Sequence, residues 1–274
     1  MSRVRHATLL SPTMVRVRTV PATVPGVPVT WRFPMMHRAL EVVDGVHFYL
    51  WVGQSMNCNS VVVANAMNDD HPHVLVDPGM TAAGWGQSAI DSLAEAMEGD
   101  GLALEDVGLV FATHSHPDHY QAVDEVVKRS GAAVVMSEKE HEFFEGPGRS
   151  FYGSFGAAPP ATQPGMLVNE GPLDLGPTGC LRADVVIAPG HTPGCACLYL
   201  PETQVLVSGD VVFPGSIGRM DFIGGSMSQM RDSIERLSRL DIEHILPGHS
   251  SMAGPMVSGR DNVARNFQMI RMFF

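Results

Sequence analysis

Aromatic residues make up only 7% of the chain, and cysteine occurs four times in 274 residues, at Cys58, Cys180, Cys195 and Cys197. No Cys-x-x-Cys pair is present, which argues against a structural zinc knuckle. Four scattered thiols are too few for a disulfide framework, so buried, reduced cysteines are expected. Positive charge is also scarce, with 18 Lys and Arg against 29 Asp and Glu and a net charge of −11. A nucleic-acid binder displays a basic stripe to neutralise phosphates. Here the basic cluster is limited to Arg3, Arg5, Arg16 and Arg18, and the alternation from Met14 to Val20 reads as an exposed strand. Nucleic acid is therefore not expected as a partner. No apolar run approaches the ~20 residues of a membrane-spanning helix. The patch Ala7 to Leu10 is too short for a secretory signal, so a cytoplasmic location without a membrane partner is expected.

What the chain does contain is core material: 45% of its residues are hydrophobic. Residues 21–34 hold Pro21, Pro25, Pro28 and Pro34, an extended lead-in. This divides the chain into an N-terminal extension over 1–40 and one domain over 41–274 that ends in a helix. Strand patterns fall at 46–52, 60–64, 73–77, 107–112 and 132–136, then at 183–188, 195–200, 204–208 and 244–246. Helical spacing falls at 87–98, 118–129, 137–144, 227–240, with Ser226 as its cap, and 259–272. Residues 145–165, rich in Gly, Pro, Phe and Tyr, read as a long loop that either lines a pocket or covers a sheet. Strand clusters with interspersed helices in two similar halves imply two packed sheets covered by helices.

The chemistry concentrates at His114-Ser115-His116-Pro117-Asp118-His119, where an apolar strand gives way to a helix. Three imidazoles and a carboxylate within six positions suit zinc, iron or manganese, and the lack of thiolates argues against a purely structural zinc site. Pro117 fixes the turn near a helix start. Three later segments repeat the pattern of apolar strand, turn and candidate ligand. They are Val185 to His191, Val205 to Asp210 and Ile245 to His249, each with a glycine just before the ligand. Asp77 closes an earlier strand and is expected to stabilise a turn or support the site from behind.

In order and spacing these motifs resemble the metallo-β-lactamase superfamily, and within it the glyoxalase II branch. The shared features are the Thr-His-x-His-x-Asp-His run at Thr113 to His119 and the Pro-Gly-His-Thr-x-Gly turn at Pro189 to Gly194. Gly209-Asp210, Pro247-Gly248-His249 and the Gly-Arg-x-Asp segment Gly218 to Asp221 complete the set. The resemblance implies an α+β fold, a four-layer αββα sandwich with metals at one edge. It implies two divalent metal ions, zinc first, with iron or manganese also accommodated. His114, His116 and His191 would hold one ion and Asp118, His119 and His249 the other, with Asp210 bridging both.

Two such ions lower the pKa of a bound water from about 15.7 to near 7, which supplies hydroxide at neutral pH. The function implied is hydrolysis of a thioester, lactone or related acyl bond of a small molecule, with Asp118 able to shuttle a proton. The competing enzyme is a persulfide dioxygenase of the same fold, which uses a single iron. A non-enzymatic member would be expected to lack one or more ligands, and none of the seven is missing. The late arginines Arg260, Arg265 and Arg271 read as a solvated face rather than a glutathione clamp. Arg219 and Asp221 read as a loop-fixing pair. The expected partner is a small-molecule substrate, and a homodimer is an allowed assembly.

Overall fold

The computed structural model describes residues 35–274, except 69, 84, 85, 176–178 and 180. The sequence reading of a strand at 14–20 and of Cys180 lies outside the described residues. In chain order the elements begin with strands β1 (His37–Val43), β2 (Val46–Trp51), β3 (Ser60–Val63) and β4 (His73–Val76). Helix α1 (Ala89–Gly99), β5 (Val107–Phe111), α2 (Pro117–Tyr120), α3 (Val123–Ser130), β6 (Ala133–Ser137) and α4 (Glu138–Phe143) follow. The second half comprises the short helix α5 (Arg149–Phe151), β7 (Met166–Val168), β8 (Gly171–Pro172), β9 (Asp184–Ile187), β10 (Ala196–Leu200) and β11 (Val205–Gly209). It closes with β12 (Val212–Phe213), β13 (Ser216–Ile217), α6 (Met227–Leu237), β14 (His244–Pro247), β15 (Val257–Ser258) and α7 (Arg260–Ile270).

One sheet runs β1-β2-β3-β4-β5-β6-β7 and the other β15-β14-β11-β10-β9-β8. Their alternation builds the layers, because successive strand residues face opposite sides. In β5, Leu109 and Phe111 meet Leu198 of β10 and Val205 and Val207 of β11 in the core between the sheets. Val110 points the other way, into a layer shared with Ile90, Leu93 and Met97 of α1 and Val126 of α3. On the far side, Tyr199, Leu206 and Ile245 pack under Met230 and Ile234 of α6 and Phe267 of α7. Central strands are thus buried on both faces, and burying each large apolar side chain is worth roughly 1.5–3 kcal/mol. The result is the expected αββα sandwich.

Helix starts follow their caps: Ser88, Ser137 and Ser226 accept from the backbone N–H of Asp91, Glu140 and Gln229 respectively. The helix expected over 118–129 is instead two. Cys58 N–H donates to Asp118 O at 3.1 Å and Ala122 N–H donates to Gly79 O at 2.8 Å, so tertiary partners replace the helical bond between 122 and 118. The loop expected over 145–165 holds helical turns as far as Phe155. Among the described residues no helix is long and apolar enough to cross a membrane. The three described cysteines, Cys58, Cys195 and Cys197, are free and buried, as the composition implied.

Candidate metal centre

β4, β5 and β6 run parallel, as do β11 and β14, while β9 and β11 both pair antiparallel with β10. The C-terminal ends of β5, β9, β11 and β14 therefore deliver their following residues to shared edges, the usual place for ligands in sheets of this kind. At the seam between the sheets, Ala196 N–H donates to Thr113 O at 2.9 Å. All seven residues singled out in the sequence converge here. Ligand atoms of His114, His116 and His191 lie within 4.8 Å of one another, and so do those of Asp118, His119 and His249.

The spacing fits metal coordination. Atoms held at 2.0–2.1 Å from a tetrahedral ion stand about 3.4 Å apart. His191 Nε2 is 2.9 Å from His116 Nδ1, and His119 Nε2 is 3.2 Å from His249 Nε2. His249 Nε2 is also 3.2 Å from Asp118 Oδ2. Asp210 reaches both groups: Oδ1 lies 3.2 Å from His119 Nε2, while Oδ2 lies 3.6 Å from both His191 and His249. His114 Nε2 is buried without a hydrogen-bond partner. An orphaned buried acceptor is costly unless a ligand takes it.

Around the cluster the ring orientations are fixed by other groups. Asp77, at φ 54°, is turned back toward the site from the end of β4. It accepts from Thr113 N–H at 2.8 Å and the Thr113 hydroxyl at 2.6 Å, and lies 2.8 Å from His119 Nδ1. His191 Nδ1 donates to Arg219 O at 2.6 Å. Arg219 and Asp221 form an exposed bidentate pair, 2.9 and 2.7 Å, that fixes this loop. Backbone approaches are close enough to demand glycine. A Cβ on Gly248 would stand 2.4 Å from Asp210 Oδ1, and one on Gly209, at φ +48°, 2.6 Å from the Thr113 hydroxyl.

Comparison with known proteins agrees with this arrangement. The family model of the metallo-beta-lactamase superfamily matches residues 54–249, which include every residue of the cluster. The chain belongs to that superfamily. The "probable polyketide biosynthesis zinc-dependent hydrolase PksB" of Bacillus subtilis is 30% identical over 195 residues, covering 70% of this chain and 74% of that protein. The hydroxyacylglutathione hydrolase of Gloeobacter violaceus is 31% identical over 178 residues, covering 64% of this chain and 61% of its own. Among solved structures, TTHA1623 in a di-iron-bound form matches with TM-score 0.58 and 28% identity, over 75% of this chain and 91% of that one.

The electrostatics of this superfamily member separate its imidazoles into two sets. Burial holds His114 far below the ordinary histidine range, and burial followed by the neighbouring His191 brings His116 down to about 3. Both are neutral and offer lone pairs. Burial also opposes charge on His119 and His249, but the Asp210 carboxylate outweighs it and raises both. Burial would raise Asp210, yet His249 and His119 carry it well below the usual carboxylate range. A metal must displace protons from His119 and His249, since only deprotonated ligands bind. Lowering pH therefore weakens metal uptake, and raising it through the elevated histidine range strengthens it. Titration calorimetry with zinc in buffers of different ionisation enthalpy should show proton release that declines as pH rises; release independent of pH would contradict the assignment.

Two groups of functional weight carried no sequence signal. Glu140 is fully buried, and its carboxylate accepts from Ser115 N–H and hydroxyl at 2.8 and 2.6 Å. Its other oxygen accepts from the Thr192 hydroxyl at 2.6 Å and Gly194 N–H at 3.1 Å. One side chain thus ties the His114–His119 turn to the turn bearing His191. Burial pushes its pKa up, against the pull of these donors. The segment Asn57–Asn59 acts similarly on the other flank: Asn57 Oδ1 accepts from Met80 N–H at 2.7 Å, and Asn59 N–H donates to Gly248 O at 2.7 Å. Their only trace in sequence is polarity just ahead of an apolar strand.

Proposed function

We propose that this chain is a dinuclear metal-dependent hydrolase acting on a thioester or related acyl bond of a small molecule. The observation that carries the reading is the position of Asp210 against both ligand groups, with Oδ1 beside His119 and Oδ2 beside His191 and His249. A carboxylate can span two ions, whereas an imidazole placed there could not. His114, His116 and His191 would hold one ion, and Asp118, His119 and His249 the other. When bound, two divalent ions supply hydroxide at neutral pH, by lowering a water's pKa to about 7, and polarise the acyl carbonyl.

The remaining work falls to the chain's own side chains. Asp77 and Arg219 O hold the rings of His119 and His191 in place. Asp118 is ionised at neutral pH: burial opposes the charge, but the contact with His249 lowers its pKa. Its carboxylate can take a proton and return it. Zinc agrees with the donor set, as does iron. A glutathione leaving group gains no support from the C-terminal segment, where Arg260 of α7 pairs with Asp241 and Arg271, just past it, pairs with Glu235.

The test is metal analysis of protein grown in defined medium, followed by assays on thioesters, lactones and persulfides with each metal. Two ions per chain and hydrolysis without oxygen are expected. One iron per chain, with oxygen uptake on a persulfide, would replace the hydrolase with the mononuclear dioxygenase.

A further inference from the structure

Three aromatic rings gather on one side of the cluster. Phe151 lies 4.6 Å from the His116 ring, Phe155 lies 4.9 Å from Phe151, and Phe222 lies 5.0 Å from Phe151 and 5.8 Å from His116. All three are half-buried, and none belongs to the hydrophobic cores that hold the sandwich together. They form one half-buried aromatic group beside His116, with the Arg219 guanidinium over Phe222 at 4.1 Å. Phe155 continues into a groove of about 430 Å³ whose apolar lining includes Met56, Met80, Ala82, Ala157 and Ala158. That volume lies within the roughly 300–1,000 Å³ usual for small-molecule pockets.

The groove is lined mainly by apolar side chains, with Ser55, Thr81 and Gln121 as its polar ones. No charged side chain lines it. Its Gln121 Oε1 is already taken by Thr81, through N–H at 2.7 Å and hydroxyl at 2.9 Å. Met56 is 56% exposed, which on a methionine leaves flexible apolar surface able to mould itself to a ligand. A hydrocarbon chain would lose water on contact with these rings, thioethers and methyls.

We infer that the acyl part of the substrate is an apolar chain, which runs from the metal cluster past Phe151 and Phe155 into the groove between Met56, Met80 and Ala158. This rests on the acyl hydrolase reading above and narrows its substrate to acyl groups longer than a few carbons. The chain is placed by exclusion of water rather than by hydrogen bonds. Lengthening it should therefore raise kcat/KM until the groove is full.

The experiment uses zinc-loaded protein and thioesters of acetate, butanoate, octanoate and dodecanoate on one common thiol. From acetyl to octanoyl, kcat/KM should rise by at least about tenfold. Ala158→Trp, at an exposed position on the groove wall, should lower the octanoyl-to-acetyl ratio by about tenfold or more. In parallel, calorimetry should show octanoate binding more tightly than acetate, with the advantage reduced in A158W. A ratio near one in the wild-type protein, or one that A158W leaves intact, overturns the inference while the hydrolase reading stands. Octanoate binding that is sensitive to A158W, without turnover of any thioester or of the matching octanoyl lactone, supports the groove and removes the hydrolase.

Discussion

Asp210→Asn should reduce kcat/KM by about a thousandfold or more, which corresponds to roughly 4 kcal/mol of lost transition-state stabilisation. The substitution keeps the volume and removes the charge. It therefore isolates what the carboxylate does: it balances His119 and His249 and reaches both ligand groups, His119 through Oδ1 and His191 through Oδ2. Metal content should fall below two per chain at the same time, while circular dichroism remains that of the wild type. A D210N protein that binds two ions and turns over at the wild-type rate would refute the bridging position of Asp210.

Glu140→Ala carries the second large effect, and on stability. The Ser115 and Thr192 hydroxyls can rotate toward other acceptors, but the N–H groups of Ser115 and Gly194 cannot. Leaving two buried donors unpaired and a cavity behind should lower unfolding free energy by about 3–5 kcal/mol. Glu140→Gln preserves shape and one oxygen, so it should cost less, about 1–3 kcal/mol. Urea denaturation of the metal-free proteins measures both. If E140A unfolds within about 1 kcal/mol of wild type, Glu140 is not the tie between the two turns. The same variants should hold metal about 10–100-fold more weakly, because the histidines on either side lose their common anchor.

The parts legible in the sequence are those that obey a period or a local grammar. β5, β10 and β11 are readable because both of their faces are buried and their runs are mainly apolar. The convergence of His114, His191, Asp210 and His249 was readable because each follows an apolar strand and a tight turn. β1 and the short strands β12, β13 and β15 carry no such pattern and are specified by contacts, whereas β14 falls where the run at 244–246 predicts it. The division between α2 and α3 was hidden for a related reason. The residues that take over the helical bonds, Cys58 and Gly79, lie far away in the chain. Glu140 shows the limit most plainly: on a helix with polar neighbours it looks like any surface glutamate, and only folding reveals four donors around it.

The seam at Thr113 and Ala196 has a mechanical meaning. Four of the seven clustered residues come from the turn and α2 that follow β5 in one sheet, and three from turns of the other. Ions shared between them would act as rivets through two plates that otherwise adhere mainly by greasy contact. The strength of the joint would then follow the supply of metal, by about 2.7 kcal/mol at a hundred times the dissociation constant. A cell short of metal would hold not simply an idle enzyme but a looser one, with its two plates free to slip and its working edge the first to part.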